Sequence, residues 1–196
     1  MLSAGSRLFR VFTARAGRTA ASFNPGWGAP TRFAFFGEPP VPVLYAGETE
    51  EAAVAETILH DLPAGGGDLY PEDYRDTAAA ALVTRRALRL AALHGLGLRR
   101  LAVTAAQLTD TSSAEYPRTV AWSGAAHAVR DDDGGLDGVC WMSRQCNNAK
   151  AYVLFGDRVG PDDLEIATDY ARIFGVGADL DWLIDLAAGL GINVMV

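Results

Sequence analysis

The amino-acid sequence predicts an α+β fold of mixed α/β type, with a central β-sheet flanked by helices. Candidate strands and helices alternate along the chain with short connections, which is the pattern of mixed folds. The 196 residues are near the usual size of one domain, and 49% hydrophobic with 21% charged residues is typical of globular proteins. We therefore predict one domain over residues 1–196.

The N-terminal elements follow from local composition. Aromatic and β-branched residues in the run 7–13 predict a first strand. Residues 14–31 are rich in proline and glycine and predict a long loop, of the kind that is either functional or disordered. The apolar run 41–46 predicts a second strand. Thr49 can then cap a helix that extends to about His60, with two glutamates in its first turn.

The later part of the chain is predicted to contain both helices and strands. Pro117 suits the first turn of a helix, and an acidic loop at 131–135 should close that helix. The remaining segments are an ambiguous apolar run at 86–93, strands at 98–103, 138–142 and 151–155, and a C-terminal helix after Asp179.

Charge and cysteine content exclude several classes of protein. The net charge of −7, with Lys150 as the only lysine, argues against direct nucleic-acid binding. No apolar run approaches the roughly 18 residues of a membrane span. Two cysteines, Cys140 and Cys146, are too few for a disulfide framework, and the arginine-rich opening is interpreted as strand and loop, not as a targeting segment. We expect a cytoplasmic protein with reduced thiols.

Common catalytic and cofactor motifs are absent from the sequence. There is no G-x-S-x-G elbow, no phosphate-binding G-x-x-x-x-G-K-[ST] loop and no H-E-x-x-H pair. The glycine-containing segments lack the dinucleotide fingerprint. The cysteines and the scattered histidines do not have metal-ligand spacing, so no metal is expected.

One strand-to-helix turn carries the candidate catalytic residues. Tyr45 ends the second predicted strand, and Glu56 lies on the helix that follows. Arg32 precedes them and is the only arginine between Arg18 and Arg75, so it is the local candidate for a bidentate grip on an anion. We interpret this group as a site for cleaving a glycosidic bond.

The same residues also allow ordinary structural roles. By helical periodicity Glu56 lies opposite the apolar stripe of Val54 and Ile58, as a solvated helix residue would. Tyr45 at a strand end is compatible with simple packing, and Arg32 with a surface charge. Periodicity alone leaves these alternatives open.

Three segments resemble the RES domain, a family named for an arginine, a glutamate and a serine. They are LFRVF, TRFAFFGEPPVPVLYAGETEEAAVAETILHD and GVCWMSRQCNNAKAYVLFGDRV, within a resemblance from about Arg7 to about Val159 that leaves residues 160–196 as a helical extension. The resemblance implies a fold similar to ADP-ribosyltransferases, with a largely antiparallel, split β-sheet.

The resemblance also implies roles for single residues. Arg32, Tyr45 and Glu56 match the family's catalytic positions, while Ser143 and Arg10, together with Arg32 and Tyr45, match positions expected to bind NAD as the substrate. A lone carboxylate suits NAD, because nicotinamide leaves as a neutral group and needs no general acid.

Members of the RES family are toxins, which implies an activity and a partner for this chain. The expected activity is cleavage of the nicotinamide–ribose bond by hydrolysis or phosphorolysis, inhibited by an Xre-type helix-turn-helix antitoxin. ADP-ribosylation of a protein target and a non-enzymatic nucleotide-binding module are the alternatives. Assembly into homo- or hetero-oligomers stays open.

Overall fold

The computed structural model describes residues 1–15, 17–63, 65–132 and 134–196. Ala16, within the predicted long loop, and Asp133, within the predicted acidic loop, lie outside the described residues. The strands are β1 (Arg7–Thr13), β2 (Val43–Gly47), β3 (Gly67–Leu69), β4 (Thr77–Thr84), β5 (Leu90–Ala92), β6 (Arg130–Asp131), β7 (Gly134–Gly135), β8 (Gly138–Met142), β9 (Lys150–Phe155), β10 (Leu164–Ile173) and β11 (Ile192–Val194).

Helices alternate with these strands. They are α1 (Glu50–Ala55), α2 (Pro71–Tyr74), α3 (Leu96–Arg100), α4 (Ala105–Leu108), α5 (Tyr116–Ala128) and α6 (Gly177–Ala188). Short 3-10 turns at Ser113–Glu115 and Pro161–Asp163 precede α5 and β10.

A mixed, mostly antiparallel sheet forms the centre of the fold. Within the described residues its strand order is β10-β4-β1-β2-β9-β8-β5. Its neighbouring strands run antiparallel, except for β5 and β8, which are parallel. The predicted α+β class with a largely antiparallel central sheet is confirmed.

The core lies on both faces of this sheet. One face packs Leu8, Leu44 and Leu154 against N-terminal loop residues. The other face packs against helices, with Val54 and Leu183 of α1 and α6 in one cluster. Trp141, fully buried, belongs to a further cluster that includes Ala126 and Trp122 of α5.

Several sequence-based boundaries are confirmed. β1 and β8 have the predicted bounds, and α5 begins with proline in its first turn. The side chain of Thr49 accepts a hydrogen bond of 3.2 Å from the backbone N–H of Ala52, as an N-cap should.

The helix predicted to reach His60 is shorter. It ends at Ala55, because the carbonyl of Val54 accepts hydrogen bonds from the N–H groups of residues 57, 58 and 59 at 3.1, 2.8 and 3.2 Å. Those bonds replace the regular helical ladder with tight turns. Ile58 and Leu59 are still buried, so the apolar stripe that suggested a longer helix is real.

The prediction of a strand at 98–103 is wrong. Residues 96–100 form α3, and a turn follows. Leu98 and Leu101 are three positions apart, which fits one helical turn, whereas a strand would place them on opposite faces. Arg99 and Arg100 lie in the last turn, where positive charge interacts favourably with the helix dipole.

The helical extension predicted for residues 160–196 is also wrong in its first part. Leu164–Ile173 forms β10, which pairs antiparallel with β4 at the edge of the main sheet. The sequence did not reveal β4 either, because four consecutive alanines favour a helix by intrinsic propensity. Ala79, Ala80 and Ala81 are instead buried in the sheet, so tertiary packing decides their conformation.

The structure assigns two smaller segments. The ambiguous run at 86–93 contains the short strand β5, and β6 and β7 pair within the predicted acidic loop. Among the described residues, no helix is both long and apolar enough to cross a membrane.

Candidate active site

The candidate site lies where the main sheet splits. β1 and β2 are neighbours, but in the described residues they share a single residue pair, Phe9 with Gly47. Beyond that pair the strands diverge, and a cavity of about 220 Å³ opens between residues 10–13 of β1 and Val43 and Tyr45 of β2. The split therefore creates the space for a ligand.

Glu56 is one of the residues that line this cavity. It is the C-cap residue of α1, and its side chain is only 6% exposed. Its Oε1 accepts hydrogen bonds from Ser143 Oγ at 2.8 Å and from the backbone N–H of Arg144 at 3.0 Å. Its Oε2 lies 3.6 Å from Nη1 of Arg32. The carboxylate is therefore buried and oriented from two sides, which contradicts the solvated-helix interpretation.

Arg32 is buried, and its guanidinium faces two partners. Nη1 pairs with Glu56, while Nε and Nη2 donate to Oγ1 and the carbonyl oxygen of Thr111 at 3.4 and 3.1 Å. The guanidinium carbon also lies 5.5 Å from the ring centre of Tyr116, within cation–π range. The guanidinium group predicted to bind an anion thus already makes most of its polar contacts with groups of the protein itself.

Tyr45 holds the segment that carries Arg32. Its hydroxyl forms a 2.6 Å hydrogen bond with Thr31 Oγ1 and accepts one of 3.2 Å from the backbone N–H of Phe33. Burial raises the pKa of Tyr45 above its ordinary value, although these two hydrogen bonds oppose the rise. The phenol is therefore neutral at physiological pH, and its ring lines the cavity.

Arg10 enters the cavity from β1. It is buried, donates a hydrogen bond to the carbonyl of Ala20, and lies over the ring of Phe12 at 5.6 Å. Burial, with a smaller contribution from the nearby charge of Arg18, lowers the pKa of Arg10 to about 10. Among the described residues no carboxylate forms an ion pair with Arg10 or Arg18, so both are available to an anionic ligand.

Ser143 lies behind Glu56 and not in the cavity lining. It follows β8, is fully buried, and donates to the carboxylate. The structure thus brings Arg32, Glu56 and Ser143 into one hydrogen-bonded and ion-paired group, with Tyr45 and Arg10 on the same cavity. The binding role predicted for Ser143 stays a prediction.

Sequence reasoning missed several residues of the site. Arg18, Asn24, Thr31, His60 and Tyr116 also line the cavity. Thr31 and Tyr116 lie close in sequence to features already noted, namely Arg32 and the helix start at Pro117. No local pattern marks them, because each reaches the cavity through a loop or a helix start.

The cavity is positive although the chain is acidic. Three arginines and one glutamate are among its lining residues, against a net charge of −7 for the whole chain. Such a concentration of guanidinium groups favours a phosphate-bearing ligand. Within the described ranges no group of three or more His, Cys, Asp or Glu could hold a metal ion.

Comparison with known families identifies the family of this chain. Residues 7–173 match the RES domain. The chain belongs to the RES domain family. The match extends past Val159, where the sequence resemblance ended, and includes β10. It therefore covers every strand of the main sheet.

A solved structure shares the RES fold of this chain. It is titled the crystal structure of the M. tuberculosis MbcT–MbcA toxin–antitoxin complex. The likeness has a TM-score of 0.59 at 14% sequence identity and covers 95% of this chain and 91% of that chain. At this identity it supports the fold. A comparison with curated proteins found no match.

Proposed function

We propose that this RES protein consumes NAD by breaking the bond between nicotinamide and ribose. The observation that carries the proposal is the buried carboxylate of Glu56, oriented by Ser143 and Arg32 at a cavity lined by arginines. A negative group held in this way can stabilise the oxocarbenium-like transition state of glycosidic cleavage.

The chemistry needs few protein groups. The C–N electron pair leaves with nicotinamide, which becomes neutral, while positive charge develops on the ribose. The oxygen of water or phosphate then bonds to the ribose carbon. Hydrolysis gives ADP-ribose and a proton. Phosphorolysis gives ADP-ribose with a phosphate on the ribose carbon that held nicotinamide. Glu56 faces the developing charge and does not have to protonate the leaving group.

The remaining residues position the reactants. We assign the pyrophosphate to Arg10, because no carboxylate among the described residues neutralises it. Arg32 and Ser143 orient Glu56, and Tyr45 and Tyr116 offer aromatic surface for the nicotinamide riboside. The cavity requires no metal in this proposal.

We further propose that the protein is a toxin held inactive by a cognate antitoxin of the Xre helix-turn-helix type. Membership of the RES family supports the toxin role, and the M. tuberculosis protein of the same fold was solved with its antitoxin. Inhibition would protect the cell's own NAD pool until the antitoxin is removed.

The direct test incubates antitoxin-free protein with NAD and follows free nicotinamide, with and without inorganic phosphate. Stoichiometric excess of nicotinamide over protein supports the proposal, and dependence on phosphate distinguishes phosphorolysis from hydrolysis. Retention of label from adenine-labelled NAD on a protein would indicate ADP-ribosyl transfer instead. Folded protein that binds NAD but releases no nicotinamide would indicate a binding module and refute the proposal.

A further inference from the structure

A second recess continues from the cavity. It has a volume of about 500 Å³, and its lining includes Arg15, Arg18 and Trp27. Thr13, Arg18 and Asn24 line both spaces, so the two spaces adjoin, and together they are called the groove. Glu56 lies in the first space and Trp27 in the second, with Arg18 at their junction.

Trp27 is unusually exposed for so large an aromatic side chain, at 65%. The side chain of Asn24 fixes the turn that carries it. Asn24 Oδ1 accepts from the N–H groups of Gly26 and Trp27 at 3.2 and 2.8 Å, and Nδ2 donates to the Trp27 carbonyl at 2.9 Å. The exposed ring is therefore held by a defined loop.

The same asparagine ties this turn to the catalytic part of the molecule. The backbones of Asn24 and Val43 exchange two hydrogen bonds, of 2.7 and 2.9 Å. Val43 begins β2, the strand that carries Tyr45. The position of Trp27 relative to the candidate active site is thus set by main-chain hydrogen bonding.

Arg18 connects the aromatic ring with the charged part of the groove. Its guanidinium carbon lies 5.1 Å from the ring centre of Trp27, and its positive charge contributes to the lowered pKa of Arg10. An aromatic face next to an arginine is suited to a nucleotide, since the base can stack and the phosphate can pair with the guanidinium.

We propose that the recess at Trp27 binds the adenosine half of the dinucleotide. This inference rests on the proposed function and extends it to the specificity of the site. The nicotinamide riboside lies at Glu56, the pyrophosphate lies between Arg10 and Arg18, and the adenine stacks on Trp27. The groove thereby selects a dinucleotide over a mononucleotide.

Trp27→Ala tests the inference by comparing two substrates of the antitoxin-free protein. NAD contains the adenosine half, whereas nicotinamide mononucleotide lacks it. Loss of base stacking should raise the KM for NAD roughly tenfold and leave the kinetics with nicotinamide mononucleotide unchanged. Equal effects on both substrates, or no effect on either, would overturn the assignment.

A matched control and a binding measurement complete the experiment. Tyr70→Ala removes another exposed aromatic ring, 48% exposed and outside both spaces, and should alter neither KM.

Calorimetry with AMP separates this inference from the proposed function. AMP binding that Trp27→Ala abolishes supports the adenosine recess even if wild-type protein releases no nicotinamide. Unchanged AMP binding in Trp27→Ala refutes the recess while leaving NAD cleavage intact.

Discussion

The hydroxyl of Ser143 donates a 2.8 Å hydrogen bond to Oε1 of Glu56, across 87 positions of sequence. Ser143 follows β8 and Glu56 caps α1, so this contact joins two elements that reach the site from different parts of the chain. It orients the carboxylate without itself lining the cavity. This relationship underlies the first prediction.

Ser143→Ala should lower kcat for NAD cleavage about tenfold and change KM little. The variant removes one of two donors to Oε1 of Glu56, and hydrogen bonds to charged groups contribute roughly 1.5–3 kcal/mol. Steady-state nicotinamide release measures both constants. Ser113→Ala, at an exposed serine, is the control. A rise in KM with unchanged kcat would instead place Ser143 in substrate binding.

Glu56→Gln should reduce kcat by at least about a hundredfold while leaving the affinity for NAD nearly unchanged. The amide keeps an oxygen for Ser143 and Arg144 but loses the charge that acts in the transition state. Calorimetry measures binding, and nicotinamide release measures turnover. Glu51→Gln, on the same helix, should retain activity. Near-normal turnover by Glu56→Gln would remove this residue from the mechanism.

Arg32→Lys should lower kcat/KM at least about tenfold. One ammonium group cannot both face Glu56 and replace the two donors that Arg32 directs to Thr111. Arg85→Lys, in an exposed ion pair with Glu165, should behave like wild type in the same kinetic assay. Full activity in Arg32→Lys would show that charge alone is sufficient at this position.

Tyr45→Phe should destabilise the fold by about 1–3 kcal/mol. The change leaves the buried N–H of Phe33 without its acceptor and Thr31 without its 2.6 Å partner. Urea denaturation followed by circular dichroism gives the free energy of unfolding. Tyr70→Phe, at an exposed tyrosine, should cost much less. Equal stability of the two variants would contradict the positioning role of the Tyr45 hydroxyl.

Acid should destabilise the protein partly through Glu50. Burial raises the pKa of Glu50, but hydrogen bonds from Arg172 and Tyr170 outweigh it and hold the pKa below the ordinary 4.5. The native state therefore binds fewer protons than the unfolded chain. The stabilisation is present above pH 4.5 and is lost as the pH falls through the lower, native pKa.

The measurement is the melting temperature of wild type and Glu50→Gln between about pH 6 and pH 3. The glutamine variant should be less stable at pH 6 and lose less stability on acidification. Asp169→Asn, in an exposed pair with Arg7, should alter the pH dependence less. Parallel curves for wild type and Glu50→Gln would exclude this ion pair as a source of acid sensitivity.

Much of the fold follows from local sequence because the relevant signals are short-range. The aromatic and β-branched run of β1, the N-cap at Thr49 and the proline at the start of α5 were all interpreted correctly. β4 was not predicted, because its alanines favour a helix until neighbouring strands bury them. β10 was missed because it is an edge strand whose residues are mostly exposed.

The sequence by itself determined which residue types were available for the site: a solitary Arg32, Tyr45, and Glu56 within a capped helix predicted to reach His60. Only the tertiary structure decided that Glu56 is buried, that Ser143 and Arg32 orient it, and that Arg18 and Trp27 extend the cavity. The physical reason is that helical periodicity reports which side of a helix is apolar. A polar side facing an enclosed cavity has the same pattern as one facing water, and only the divergence of β1 and β2 distinguishes them.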